Sequence, residues 1–522
     1  MGTQLVWFKR DLRIDDHAPL LEAAAAGSVV CLYIYEPELL AAPETDSSHL
    51  EFIEQSLREL DAALVGRGGR LVTRHGEAVE VLDRLHDELG FERLWSHEET
   101  GLGITYARDR RVKQWCRRRG VEWIERPQCG VVRPLKARDG WARRWQARMQ
   151  APLCPAPLRI EGISVDGEGI LGPVELGRPA SVRTGAQRGG RAEGLRRLDD
   201  FLQHRGRDYR WALSSPLRAW DGCSRLSPHL AFGTLSVREV AQHTWRRQRR
   251  VALEEERARA LRRPELPALR DWAASLDAFG ERLRWRDHFI QKLESQPSLE
   301  HRNLHPACDG LRIEDPNDWT PEQRRRFVAF EAGATGYPMV DACMRCLQAT
   351  GWINFRMRAM LASFAAYHLW LHWRPTAQLL ARRFLDFEPG IHYPQIQMQS
   401  GTTGINALRI YDPAKQVLDH DPRGEFIRRW VPELEGVPDE YLPRPERMPA
   451  SVQQARGCVI GRDYGPPIVD PVRAPAQARR RLEDARRSPQ ARAQRERIHQ
   501  RHGSRRPPAT RSWSSRRGGP RT

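Results

Sequence analysis

The sequence predicts an α/β domain with a doubly wound parallel sheet, followed by a large all-helical domain. Three observations predict it. Strand and helix patterns alternate over the first 130 residues, as a parallel sheet with crossover helices requires. A Gly- and Pro-rich stretch interrupts the chain near 150–193. From residue 193 to about 435 the apolar residues recur almost everywhere at the helical period.

Five short apolar runs are the expected strands: 4–8, 29–35, 70–74, 93–96 and 121–125. Helical patterns over 50–64 and 78–89 separate them. In such sheets a ligand lies at the carboxyl ends of the strands, at a switch point. No GxGxxG follows the first strand, so the dinucleotide fingerprint is absent there.

Pro152-Leu153-Cys154-Pro155-Ala156-Pro157 opens the linker, which ends near Gly189-Gly190. The mixed-charge run 246–263 reads as a solvated helix that Pro264 ends. An Arg-rich helix is expected after Pro475, and disorder beyond Arg501. The expected division is therefore 1–135, a linker at 136–193, 194–500 and a basic tail at 501–522.

The 522 residues carry a formal charge of +18. Residues 471–522 hold sixteen arginines against three acids, which leaves only +5 for the first 470. Such a tail binds polyanions loosely and in a salt-sensitive way, or is simply a soluble end. Nine scattered cysteines suit a reduced compartment. Cys343 and Cys346 form a lone CxxC inside a helical pattern and read as structural. The start of the chain lacks a signal-peptide pattern and no apolar run reaches eighteen residues, so a cytoplasmic, non-membrane protein is expected.

Three segments carry candidate chemistry. Ser224-Arg225-Leu226-Ser227-Pro228 offers hydroxyls, an arginine and free backbone donors, which suit a phosphate; an ordinary helix cap is the alternative. In the second, Val340, Met344 and Leu347 line one helical face. Thr350-Gly351-Trp352 breaks that helix, and Arg356, Arg358, Met360 and Phe364 begin another. Arginines two apart point to different faces, so one can turn inward to a ligand while the other reaches solvent. The third is Asp386-Phe387-Glu388-Pro389-Gly390-Ile391-His392-Tyr393-Pro394-Gln395, read as a loop between helices. Its acids suit the ribose or ring groups of a nucleotide, or a pairing with Arg358. A metal is not expected, because no further ligand cluster accompanies them. Trp370 and Trp373, two of seventeen tryptophans, are expected as neighbours on one helix.

Taken together these segments resemble the DNA photolyase/cryptochrome family over roughly residues 3–500. The resemblance starts with Val6-Trp7-Phe8-Lys9-Arg10-Asp11-Leu12-Arg13. It continues through Ser224–Ala231, Thr335-Gly336-Tyr337-Pro338, Val340-Asp341-Ala342 and Thr350-Gly351-Trp352, and closes with Arg409-Ile410-Tyr411-Asp412-Pro413 and Glu425–Trp430. It implies an antenna domain followed by a helical FAD-binding domain. It implies FAD, a second antenna chromophore of folate or deazaflavin type, and UV-damaged DNA as partner of a monomer. The activity implied is light-dependent splitting of pyrimidine dimers, with a cryptochrome-like photoreceptor as the alternative.

By the same resemblance Tyr209 and Cys223, Ser224, Arg225, Leu226 and Ser227 hold the flavin phosphates. Arg286 and Arg358 lie along the flavin, Asp386 and Glu388 near its ribityl and ring edge, and His392 faces its reactive nitrogen. Trp285 and Met398 fall at the lesion pocket, Trp373 and Trp319 on the photoreduction path, and Arg356 and Arg409 at the DNA. Several positions depart from the pattern. Arg282 stands where dimer photolyases place a carboxylate, with Glu281 aimed about 100° away on a helix. Phe355 replaces a flavin-side Asn, Met398 a pocket Trp, and Ile396 the proximal Trp of the photoreduction chain. The histidines of the (6-4)-photoproduct branch are replaced by Asn354 and Phe355.

Overall fold

The structure is a computed structural model that describes residues 2–135 and 137–502. Its N-terminal part is a five-stranded, wholly parallel sheet: β1 (Gln4–Phe8), β2 (Val29–Tyr35), β3 (Leu71–His75), β4 (Arg93–His97) and β5 (Glu122–Arg126). The order is β3-β2-β1-β4-β5, with Val6 opposite Cys31 on one side and Trp95 on the other. All five residues of β1 are buried, as expected of a central strand covered on both faces by helices. The Ala78–Leu89 helix buries Ala78, Val81, Leu82 and Leu85, and Glu77 and Gly90 cap it. The Ser47–Val65 helix begins three residues before its apolar pattern, because Asp46 and His49 form a capping box.

The carboxyl edge of the sheet is where the two parts of the chain meet. Arg10 Nε donates to the Ala231 carbonyl at 2.9 Å and Nη2 to that of Phe387 at 2.7 Å. Arg13 Nη1 donates to Gly233 O at 2.8 Å, and Ser236 Oγ to Asp16 at 2.6 Å. The sheet thus holds the Ser227–Ala231 turn and the start of the 386–399 segment against each other. Asp11, His17 and His97 also cluster here, all buried. His17 Nδ1 accepts the Leu20 N–H at 3.1 Å, so its Nε2–H donates to Asp11 at 3.0 Å. His97 Nδ1 donates to the same carboxylate oxygen at 2.7 Å. The lone pair a metal needs on His17 Nε2 is therefore replaced by a proton.

Residues 151–190 run over the α/β part. Val29 N donates to Glu161 O at 2.8 Å and Thr73 Oγ1 to Gly169 O at 2.6 Å. Gly185 N then reaches Ala349 O, in the helical part, at 3.1 Å. Within the segment read as linker, Trp141–Gln150 forms a helix whose Trp141, Trp145 and Met149 join the helical core with Phe201 and Leu276.

The helical part is organised around one long helix, Leu266–Ser295, which packs on Val237–Ala260 and on Pro389–Gln399. Gly390 permits the second contact: a Cβ there would lie 2.6 Å from Ile290 Cα. Among the described residues no helix is long and apolar enough to cross a membrane.

Three expectations are corrected. Residues 389–399 are a helix rather than a loop, so His392 and Tyr393 lie on helical backbone. Pro389 starts it and Glu388 caps it; packing on the long helix offsets the bond that the interior Pro394 forfeits. Trp370 and Trp373 do not share a helix. A π-turn over Phe364–His368 leads to Trp370 at φ 54°, and the next helix starts only at Trp373. The Trp370 ring lies instead between Arg312 and Arg481, at 4.3 and 4.9 Å. The Arg-rich helix begins at Arg473, with Pro475 inside its first turn. The disorder expected beyond Arg501 concerns residues that, from 503 on, lie outside the described ones.

Candidate functional site

A cavity of about 660 Å³ opens in the helical part, within the range of small-molecule sites. One wall comes from the Ser224–Ala231 segment and one from the long helix. The others come from the Phe355–Ser363 helix and from residues 384–399. Tyr209, Cys223, Ser224, Arg225, Leu226 and Ser227 all line it. So do Arg286, Arg358, Asp386, Glu388 and His392. Trp285, Met398 and Arg409 also reach it.

Arg225 is the unusual group on the floor. Its backbone is left-handed, φ 58°, and Gln187 Nε2 holds its carbonyl at 2.8 Å. The guanidinium is buried between the rings of Trp220 and Trp352, 4.0 Å from each. It has no carboxylate partner among the described residues, and Nε lacks a hydrogen-bond acceptor. Burial, with repulsion from Arg197, pulls it down to about 9. Asn354 Oδ1 and Gln395 Oε1, from other walls of the cavity, are likewise buried without a donor. Buried polar atoms of this kind ordinarily have partners. Three on one cavity mark places for a polar ligand.

Two further arginines on the cavity, Arg358 and Arg286, are paired with acids. Arg358 makes two parallel bonds to Asp386, at 2.8 and 2.9 Å. Burial opposes ionisation of Asp386, but Arg358, and then Ser227, hold its carboxyl below the usual value. Arg286 donates to Leu230 O at 2.9 Å and pairs with Asp287 at 2.7 Å and Glu388 at 3.9 Å. Burial works against the Arg286 charge, and those two acids outweigh it and raise its pKa. Glu388 also faces Arg10 at 3.7 Å, so the sheet edge contributes to the wall.

Burial pulls the His392 imidazole down to about 4. Nε2 lies 2.8 Å from the Ala377 carbonyl, so it carries the proton and Nδ1 is the acceptor of a neutral ring.

The remaining sequence-identified residues lie elsewhere. Trp373 is buried in the core, donating to Asn303 Oδ1 at 2.8 Å, and Trp319 packs on Phe327 at 5.0 Å. Arg356 does not line the cavity; it lies near enough to His420 to oppose its charge, half-buried, with its Nε lacking an acceptor. The Trp220–Arg225–Trp352 stack was not legible in the sequence, because its members are brought together only by folding. Lys292 was legible in principle: Arg282, Trp285, Phe289 and Lys292 recur at helical spacing and all line the cavity.

Comparison with known proteins gives a consistent picture. The family model described as the FAD binding domain of DNA photolyase matches residues 279–484, and that described as DNA photolyase matches 4–151. A deoxyribodipyrimidine photo-lyase of Streptomyces griseus is 30% identical over 505 residues, covering 93% of this chain and 99% of that protein. Cryptochrome-2 of Gallus gallus is 28% identical over 495 residues, covering 89% of this chain and 80% of that protein. The crystal structure of a bacterial class III photolyase from Agrobacterium tumefaciens superposes with a TM-score of 0.78 at 25% identity, covering 94% of this chain and 98% of that one.

Proposed function

The chain belongs to the DNA photolyase/cryptochrome family, and from that premise we propose that it is a light-driven DNA lyase acting on UV-induced pyrimidine dimers with FAD. The residues fit the cofactor. The unpaired, desolvated Arg225 and the Ser224 and Ser227 hydroxyls suit a pyrophosphate. Asn354 and Gln395 offer unused acceptors to ring or ribityl donors. The volume and apolar lining suit a folded dinucleotide rather than a mononucleotide alone.

Bound, reduced FAD supplies the electron that blue light sends to the dimer. The protein's own groups position and shield. Arg358 and Asp386 lock two walls together. His392 stays neutral and presents an acceptor nitrogen rather than a positive charge. Phe384, Phe387 and Ile396 keep water from the inner cavity. Arg409, beside Asn406 on the cavity wall, is the expected contact for DNA. The family reading includes an antenna chromophore of folate or deazaflavin type.

One observation carries the lyase reading. Trp285 and Phe355, exposed by 44% and 45%, flank the mouth of the same cavity whose floor holds Arg225. A base flipped from a duplex needs such an open, aromatic entrance. A signalling photoreceptor is the second reading. In its favour, both acids on the cavity, Asp386 and Glu388, face arginines, so neither is free beside a lesion. The test is repair of a dimer-containing oligonucleotide by the FAD-loaded chain under blue light. Restoration of intact pyrimidines in the light and not in the dark is expected. Flavin photochemistry without repair would shift the assignment to the photoreceptor.

A further inference from the structure

The turn that follows the Pro389–Gln399 helix is ringed by hydrogen-bonding groups that meet no partner. Ser400 and Gly401 lie where the Arg473–Ala485 helix packs on the π-turn over Phe364–His368 and on the short turn Pro306–Cys308. Arg312 Nη2 reaches the Ser400 carbonyl at 3.4 Å, and Arg486 Nη2 donates to the Gly401 carbonyl. The Tyr367 hydroxyl approaches Gly401 so closely that a Cβ there would clash with it. Three segments distant in the chain thus bring two guanidinium groups, a phenol and a serine hydroxyl to one turn.

Four of their polar atoms are buried without a partner: Arg312 Nε, Tyr367 Oη, Ser400 Oγ and Arg486 Nε. Arg312 is 6% exposed, and Tyr367 and Ser400 are 1% exposed. A guanidinium only donates, and the hydroxyls can donate as well, so the group they lack is an acceptor. Neither arginine pairs with a carboxylate among the described residues. The acids closest in sequence are engaged elsewhere: Glu483 faces Arg479, Asp484 faces Arg487, and Asp309 accepts from Asn303. Burial accordingly pulls the Arg312 guanidinium down to about 10.

A charge taken out of water is ordinarily paired. Water could accept the N–H bonds but would leave two positive charges unbalanced, and a halide would leave one. A divalent oxyanion balances both and offers an oxygen to each donor. We propose that Arg312, Tyr367, Ser400 and Arg486 form a binding site for a small divalent oxyanion of the sulfate or phosphate class. The burial of these groups excludes the backbone of a polymer. None of the four lines the large cavity, whereas Gln399, Ile405 and Asn406 beside the turn do. The anion therefore fastens the Arg473–Ala485 helix to the back of a cavity wall without touching the cavity itself.

The experiment titrates the FAD-loaded full chain with sodium sulfate by isothermal calorimetry, in a chloride buffer of constant ionic strength. One saturable site with a Kd of about 1 mM or tighter is expected. Arg312→Gln and Arg486→Gln should each weaken it at least tenfold, and Tyr367→Phe at least threefold. Arg487→Gln, which removes the exposed neighbour of Arg486, should leave it unchanged. Sulfate should also slow hydrogen exchange of the amides of 473–486 in the wild type and not in Arg312→Gln. The flavin absorbance of each variant reports that the fold is intact; if Arg312→Gln does not fold, Tyr367→Phe carries the test. A chain that binds no sulfate at 10 times that concentration holds water there, and the proposal falls. Binding that is indifferent to Arg312→Gln and Tyr367→Phe places the anion elsewhere and also overturns it. Chloride that displaces sulfate at equal concentration overturns the oxyanion class.

Discussion

Arg358 and Asp386, 28 residues apart, face each other in a bidentate ion pair with N–O distances of 2.8 and 2.9 Å. The pair joins the Phe355–Ser363 helix to the turn that starts the Pro389–Gln399 helix, and both ends lie on the cavity.

Breaking this pair leaves one charge buried and alone, which costs about 3–5 kcal/mol. Arg358→Ala and Asp386→Ala should each lower FAD affinity at least tenfold and lower the urea midpoint. Arg358→Lys should recover little, since an ammonium cannot make two parallel bonds. Flavin fluorescence titration and urea unfolding check this. Full affinity in both alanine variants would remove the pair from the cofactor site.

Arg225→Gln should act with opposite signs on the two states. The apo-protein loses a buried charge without a counter-ion, together with two ring contacts worth roughly 1 kcal/mol each. Its stability should therefore stay level or rise by about 1 kcal/mol, while FAD affinity falls at least tenfold. The measurement is unfolding of the apo-chain beside FAD titration. An apo-protein weakened by more than about 2 kcal/mol with unchanged FAD affinity would make Arg225 a structural residue only.

Acid should destabilise the fold early. Burial holds His49, His229, His368, His372 and His392 at about 4 and His97 at about 3, against 6.5 in the unfolded chain. Between pH 6.5 and 4 the unfolded chain takes up protons that the folded one refuses, so stability falls as pH falls through that window. Above about pH 7 these groups contribute no slope. Asp386, with its pKa depressed, adds a further loss only below the normal carboxylate range. A shift of two units is worth roughly 3 kcal/mol per group. The histidine part of the urea midpoint should be flat from pH 8 to 7 and drop from 6.5 to 5, against the opposite slope of Glu36 and Glu300, which burial pushes up to about 7. His49→Gln, whose amide can still donate to Phe384 O, should shallow that drop. A difference between wild type and His49→Gln that stays constant from pH 7 to 5 would contradict the assignment.

Light-driven reduction of the flavin should depend on Tyr393 and not on Trp370. Ile396 lines the cavity where a first aromatic donor is expected, and an aliphatic chain cannot be oxidised there. Tyr393 is buried behind His392 and Phe387, at 5.5 and 6.4 Å between rings, and lies 6.2 Å from Trp373. Its hydroxyl donates to Glu44, a base placed to take the phenol proton. Trp370 is held between Arg312 and Arg481, a setting that disfavours a radical cation. Illumination of the oxidised protein with a thiol should bleach the flavin band several-fold more slowly in Tyr393→Phe and normally in Trp370→Phe. Loss of reduction in Trp373→Phe alone would restore the tryptophan route. Slow reduction in all, wild type included, would mean that cellular reductants set the flavin state.

The sequence by itself determined the local elements and the family. The strands of the sheet and the Ala78–Leu89 helix follow from apolar spacing and caps, which act within a few residues. The motifs around Ser224, Gly336 and Thr350 are contiguous, so they could be read without knowing what they touch. The tertiary structure alone decided direction and partnership. It put Arg358 on the cavity and left Arg356, on the same helix, off it, and set Arg225 between Trp220 and Trp352. It made a helix of 389–399 despite Pro394, and separated Trp370 from Trp373 by a π-turn and a left-handed residue. Each of these depends on packing between segments tens to hundreds of residues apart. Local propensity is worth tenths of a kcal/mol per residue, and burying a side chain is worth several times that, so packing decides wherever the two disagree.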